Sequence, residues 1–256
     1  EFRRVLFRSG KLTGRPMTDA PPEFGFVHSA NITQDKDHGI GNYSDAELAW
    51  LLRTGIKKSG QYAPPYMAKL PHLSDYDLNA IISFLHSDDP MVQADPTPAQ
   101  PCEPTFLTKF LCTIAFKPLP YPQNPIPPPD TTNPVVLGKY LVHNLECYTC
   151  HSGDFAKIDM LNPEKSFCYM GGGNQPLDKS GKVIKTSNLT PDRETGIGKW
   201  SQDQFIRAVR YGLVDGQPAL RYPMVPYAQL TDYEAASIYQ YLQTVPAISN
   251  KIERSF

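Results

Sequence analysis

Two stretches of the chain carry apolar residues at helical spacing behind a hydroxyl side chain. Leu48, Leu51, Leu52 and Ile56 follow Ser44, while Phe205, Ala208, Val209 and Leu213 follow Ser201. Recurrence at i, i+3, i+4 and i+8 lays one apolar stripe along a helix. Ser44-x-x-Glu47 and Ser201-x-x-Gln204 have the form of capping boxes, in which the hydroxyl accepts from the third amide and the third side chain reaches back. Gly55 and Gly212 stand where a left-handed residue ends each helix. A second helix is expected after each loop. One starts at Ser74 and carries Leu78, Ile81, Ile82 and Leu85; the other starts at Thr231, carries Ala235, Ile238, Tyr239 and Leu242, and stops before Pro246. No comparable alternation predicts strands, so the expected class is all-α.

The two helix pairs are one unit written twice. Sliding the chain on itself by 157 residues places Asn31 to Leu85 on Asn188 to Leu242, with 15 identities in 55 ungapped positions. Unrelated segments of ordinary composition would share roughly three. Asn31, Thr33, Asp35, Gly39, Ile40, Gly41 and Ser44 meet Asn188, Thr190, Asp192, Gly196, Ile197, Gly198 and Ser201. Met67 meets Met224, and Asp75-Tyr76 meets Asp232-Tyr233.

Composition narrows the partners. With 25 basic and 26 acidic residues, the formal net charge is −1, which supplies no electrostatic footprint for nucleic acid. The mean hydropathy of −0.40 accompanies a chain without an apolar run long enough to span a bilayer. Of 26 prolines, 13 fall in the 45 residues from Pro90 to Pro134. Such a stretch is expected to be a semi-rigid spacer. Residues 1–9 (EFRRVLFRS) resemble the translation of a sequencing adapter and are set apart from the fold. The expected organisation is therefore a first domain at 10–90, a linker at 91–133 and a complete domain at 134–256, with any signal peptide or anchor lying upstream.

The second copy follows Cys147-Tyr148-Thr149-Cys150-His151, the attachment signature of a c-type haem. Two thiols three residues apart on one turn reach the two vinyl groups of a porphyrin, and the next imidazole falls beneath the iron. A redox CxxC or half of a zinc ribbon would use the same letters. A ribbon needs four ligands, and Cys102, Cys112 and Cys168 form no second CxxC; a thioredoxin-type motif expects a βαβ setting. His151 is thus the candidate proximal ligand. The repeat nominates the distal one: Met224 lies in the proline-stiffened Tyr222-Pro223-Met224-Val225-Pro226-Tyr227, and Met67 has the same register in Ala63-Pro64-Pro65-Tyr66-Met67. Thioether opposite imidazole raises the reduction potential and suits an electron carrier. Met160 and Met170 are expected to be core fillers.

On CYTCH, SNLTPDRETGIGKWSQDQF and YPMVPYAQLTD, Cys147 to Ile248 resembles a class I cytochrome c domain, and the duplicated chain is similar to multi-haem cytochrome subunits of bacterial periplasmic or membrane-bound dehydrogenases. The resemblance implies that Gly138, Tyr140 and Leu141 pack on Ile238, Tyr241 and Leu242. It also implies that Asn188 and Trp200 lie near the haem propionates, although a turn-forming Asn and a core Trp account for the same letters. Further implications are redox partner proteins (a dehydrogenase donor and a cytochrome or oxidase acceptor in a respiratory chain) and a location in the periplasm or on the outer face of the cytoplasmic membrane. A di-haem cytochrome c peroxidase-like enzyme is the alternative, and a haem-free helical module with a structural metal is a third reading.

The first copy has Met67 but no CxxCH, whose place at offset 157 would lie before the first residue. Either a complete haem domain has been cut, leaving a second haem to the intact protein, or this copy never bound one; its proline-flanked methionine favours the former. Without a first helix, residues 10–90 are expected to pack poorly, with His28, His38, His72 and His86 at the surface. Cys102 and Cys112 could pair in an oxidising compartment, with Cys168 left as a buried thiol.

Overall fold

The computed structural model describes residues 10–17, 20–63, 66–114 and 116–253. It divides after Pro128 into two compact units.

In the first unit, α1 (Asp45–Thr54), α2 (Asp75–Leu85) and α3 (Phe106–Ile114) accompany a ribbon of β1 (Gly25–Phe26) and β2 (Glu103–Pro104), antiparallel with Gly25 opposite Pro104. The ribbon departs from the all-helical expectation. Strands of two residues are too short to display alternation. Ser44 and Glu47 complete the capping box of α1, which ends at left-handed Gly55. Val27, Ile40, Leu48, Leu78, Ile82 and Val92 are buried, so this unit has a core, although among its described residues no helix stands in the place of the one that precedes the second copy's haem motif. On α2, Asn79, Ala80 and Phe84 are exposed.

The stretch expected to be a linker at 91–133 belongs to the first unit as far as Pro128. Its residues between the prolines make the attachments. Leu119 N donates to Thr54 O at 3.1 Å, and Ile126 N and O bond Asp75 Oδ2 and N at 3.1 and 2.9 Å. Leu12 N donates to Met91 O, and Gln34 N to Val92 O.

The second unit contains α4 (Pro134–Asn144), α5 (Cys147–His151), α6 (Gln202–Tyr211) and α7 (Asp232–Leu242). Asn133 caps α4 with Pro134 in its first turn, and Ser201/Gln204 and Thr231/Glu234 form capping boxes on α6 and α7. Helices α4 and α7 cross at Gly138, where a Cβ would stand 1.9 Å from Ser237 O and 2.9 Å from Tyr241 Cβ. The core gathers Val142, Tyr148, Met170, Phe205, Val209, Ile238, Tyr241 and Leu242.

The shared Asn-x-Thr-x-Asp segments fold alike in both units. Thr33 N donates to Asn31 Oδ1 and Thr190 N to Asn188 Oδ1, each at 2.9 Å. Ile40 N closes onto Thr33 O and Ile197 N onto Thr190 O. A Cβ at Gly39 or Gly196 would sit 2.2 Å from the carbonyl oxygen of Thr33 or Thr190. The glycine identities therefore record backbone contact.

Asp192 accepts from Thr195 Oγ1 and N, both at 2.7 Å. The Thr195 hydroxyl and then its amide hold this carboxyl below its ordinary value. Its contribution to stability is therefore complete above about pH 4 and fades as acid titrates it through the lowered folded value. Asp192→Asn should flatten this part of the acid-unfolding curve, measured by circular dichroism.

Candidate haem site

Residue Glu146, at φ 54°, turns the chain into α5. One short helix then sets Cys147 and Cys150 on the same side, because residues three apart are neighbours on a helix. Tyr148, between them, is buried in the core. Burial pushes the Cys147 thiol up to about 12 and raises that of Cys150 as well. Both remain protonated near neutral pH.

His151 Nδ1 lies 2.8 Å from Ser187 O. A carbonyl can only accept, so Nδ1 carries the proton and the lone pair is on Nε2. Burial holds the imidazole below its ordinary value, hence neutral. A neutral imidazole oriented through its other nitrogen by a carbonyl is the arrangement of a metal ligand. The residues thus fit a haem: two thiols on one turn, followed by an imidazole with Nε2 free for iron.

Met224 is half-buried and packs against the core cluster, together with Cys147, Leu189, Trp200 and Tyr227. Tyr227, three residues beyond Met224, has its phenol raised by burial and then by the thiols of Cys147 and Cys150. Tyr227 thus stands near the cysteine helix, and Tyr227, Met224 and Cys147 pack against the same core cluster. Leu220 N donates to Gly212 O at 2.7 Å, and Tyr227 N to Val209 O at 2.8 Å, fastening the loop on either side of Met224.

Asn188 is buried, and its side chain is engaged within the protein. Nδ2 donates to Ile248 O and Thr195 Oγ1, while Oδ1 accepts from Thr190 N and Oγ1. These bonds give it the turn-forming part. Trp200 packs on the core cluster, and its carbonyl accepts from Tyr239 Oη at 2.6 Å. Met170 is fully buried and Met160 half-buried.

In the first unit Met67 is half-buried, while Pro64 and Pro65 lie outside the described residues, as do residues 1–9. His38 and His86 are exposed, and His28 and His72 half-buried. Cys102, Cys112 and Cys168 are free, half-buried thiols. Cys102 Sγ engages the backbone N and O of His28, at 3.4 and 3.3 Å.

Two features had no sequence signal. Ser187 acts through its carbonyl, which any residue possesses. Behind α5, His143 Nε2 meets Tyr169 Oη at 3.2 Å, and Tyr169 Oη meets Tyr241 Oη at 2.9 Å. Among the described residues, no group of three or more His, Cys, Asp or Glu is arranged to hold a metal ion directly. No helix among them is long and apolar enough to cross a membrane.

No family model matches the chain. It is 28% identical over 253 aligned residues to the gluconate 2-dehydrogenase cytochrome c subunit of Pantoea cypripedii, covering 91% of this chain and 55% of that protein. It is 27% identical to the cytochrome c subunit of the quinone alcohol dehydrogenase of Gluconobacter oxydans (strain 621H), covering 88% of this chain and 48% of that one. A diheme cytochrome c-type protein of Cereibacter sphaeroides is 26% identical, with 97% of this chain and 78% of that protein covered. The chain spans about half the length of the dehydrogenase cytochrome subunits it matches.

Proposed function

We propose that this chain, homologous to cytochrome c subunits of dehydrogenases, passes single electrons from a dehydrogenase to a cytochrome or oxidase acceptor on the periplasmic side of a bacterial cytoplasmic membrane. In this reading Cys147 and Cys150 would attach haem c, and His151 and Met224 would ligate its iron; the group would supply one-electron chemistry when bound. The Ser187 carbonyl keeps the His151 proton on Nδ1, and the fastened loop presents the Met224 thioether where Tyr227 and Trp200 pack against the same core cluster. A soft sulfur ligand would favour the reduced state. Ligation by both His151 and Met224 would leave no iron site open to peroxide, which favours the carrier over the peroxidase.

The observation that carries this reading is the His151–Ser187 bond beside two half-buried thiols on one turn. Acid–acetone extraction should leave haem on the polypeptide, and the pyridine haemochrome should have the position of a haem with both vinyl groups saturated. Cys150→Ala should shift that spectrum to one thioether and reduce haem retention. Fully extractable haem would overturn the proposal. A high-spin ferric spectrum with peroxide turnover would favour the peroxidase.

The same reading extends to the first unit, with Met67 the ligand of a second haem. Ala80 and Phe84 of α2 are exposed where their counterparts, Ser237 and Tyr241 of α7, are buried by α4. Since Met224 follows His151 by 73 residues, the upstream coding sequence should contain a CxxCH whose histidine precedes Met67 by the same interval. One haem per intact polypeptide would overturn this extension.

A further inference from the structure

The ends of the methionine loop are joined by an ion pair that the site itself does not include. Arg210 stands in the last turn of α6 and Asp232 in the first turn of α7, and Arg210 Nη1 bonds Asp232 Oδ1 across the gap. Between them runs the whole loop carrying Met224. The Arg210 side chain is 17% exposed and that of Asp232 75%, so a largely buried guanidinium reaches a carboxylate at the surface. Leaving such a guanidinium without its partner is costly.

The first unit repeats the arrangement at the same offset. Arg53 Nη2 bonds Asp75 Oδ1 at 2.8 Å, with the arginine side chain 1% exposed. Arg53 Nη1 also donates to Leu70 O at 2.9 Å, three residues beyond Met67. Ala63 N to Gly55 O, at 2.6 Å, and Leu70 N to Leu52 O, at 2.8 Å, match the two bonds that flank Met224. Among 55 aligned positions only 15 are identical, yet both members of the pair are. Neighbouring surface positions have diverged, including Trp50 against Arg207 and Lys58 against Asp215.

We propose that Arg210, through Asp232, is a positioning residue for Met224, tying the two ends of its loop together so that the thioether is kept for the iron. The proposal rests on the ligand assignment above. Without the pair the Leu220–Gly212 and Tyr227–Val209 backbone bonds still hold the loop, but its ends are freer and it samples more conformations, in which a competing ligand would displace the methionine. The pair therefore acts on methionine retention more than on folding, which the α4–α7 crossing governs.

The test uses the full haem-loaded chain and imidazole as the competing ligand. Wild type, Arg210→Met, Arg210→Lys, Asp232→Asn and the Met/Asn double variant are compared by loss of the methionine-to-iron charge-transfer band, with thermal unfolding recorded in parallel. Each neutralising single variant should keep its haem and lose the band at roughly two- to fivefold lower imidazole, the change produced by one partly exposed ion pair of ordinary strength. Arg210→Lys should recover part of the resistance. The double variant should be no more sensitive than either single, because both remove one interaction. Asp232→Asn is isosteric and serves where Arg210→Met does not fold. Unchanged imidazole sensitivity, with or without lowered thermal stability, would overturn the positioning role; additive sensitivities in the double variant would overturn the pair. Absence of the band in wild type would instead bring down the ligand assignment, and the proposal with it.

Discussion

Met224→Ala should leave the haem covalently attached while abolishing the methionine-to-iron charge-transfer band and lowering the reduction potential. In the proposed site attachment rests on Cys147 and Cys150, which lie on α5, whereas Met224 lies on the loop between α6 and α7. The two roles should therefore be separable by mutation. Removing the thioether would take away a soft ligand that prefers ferrous iron and let water compete for the metal. The expected fall is on the order of 0.1 V, a fraction of the roughly 0.8 V over which axial ligands set haem potentials. Spectroelectrochemical titration measures the potential, and the near-infrared spectrum reports the band. Persistence of the band would mean that another sulfur, such as that of Met160 or Met170, is the ligand. Met170 is fully buried in the core cluster, so that outcome would require the cluster itself to open.

Gly138→Ala should be among the most damaging single substitutions in the second unit. In an isolated helix the change would be favourable by about 1 kcal/mol. Here the new methyl would stand 1.9 Å from Ser237 O and 2.5 Å from Ser237 C. Those atoms belong to the backbone of α7 and cannot rotate aside, so α4 and α7 must separate. Overpacking of this kind costs about 3 kcal/mol, which leaves a net loss of about 2 kcal/mol. For a unit of this size, that lowers the melting temperature by roughly 6–10 °C. Differential scanning calorimetry of the second unit's transition in the full chain would register it; a melting temperature at or above wild type would exclude the close crossing. Because His143 and Leu141 lie on α4, the same variant should also disturb the polar cluster at Tyr169 and Tyr241.

What the sequence revealed and what it concealed divide along a physical line. Capping boxes are local and carried by side chains, and Ser44/Glu47, Ser201/Gln204 and Thr231/Glu234 all form. Gly55 and Gly212 are left-handed ends for the same reason. The CYTCH turn was legible because its spacing is the chemistry. Tertiary attachments made by the backbone were not. Leu119 and Ile126 tie a proline-rich stretch into the first unit through amides that look like any others, and the proline count pointed to a free spacer. Helix α3 lies inside the stretch expected to be a spacer, and its Phe106, Leu107, Phe110 and Ile114 are exposed, so no buried stripe marks it. The Ser187 carbonyl that orients His151 is a property of the fold, as is the proximity of Tyr227 to the two cysteines. The Arg–Asp pairs stood among the repeat's identities, but only their position at the two mouths of a loop gives them meaning.

The paired glycines bear on how the two halves tolerate change. A complete survey of single substitutions should find intolerance at Gly39 and again at Gly196, and likewise at Gly41 and Gly198, where an added carbon would be 2.2 Å from a carbonyl oxygen in every case. These positions would be depleted of variants at one fixed interval whether or not either half carries an electron. Mutational sensitivity at these sites would therefore mark the shared ancestry of the two halves and say nothing of which half is redox-active.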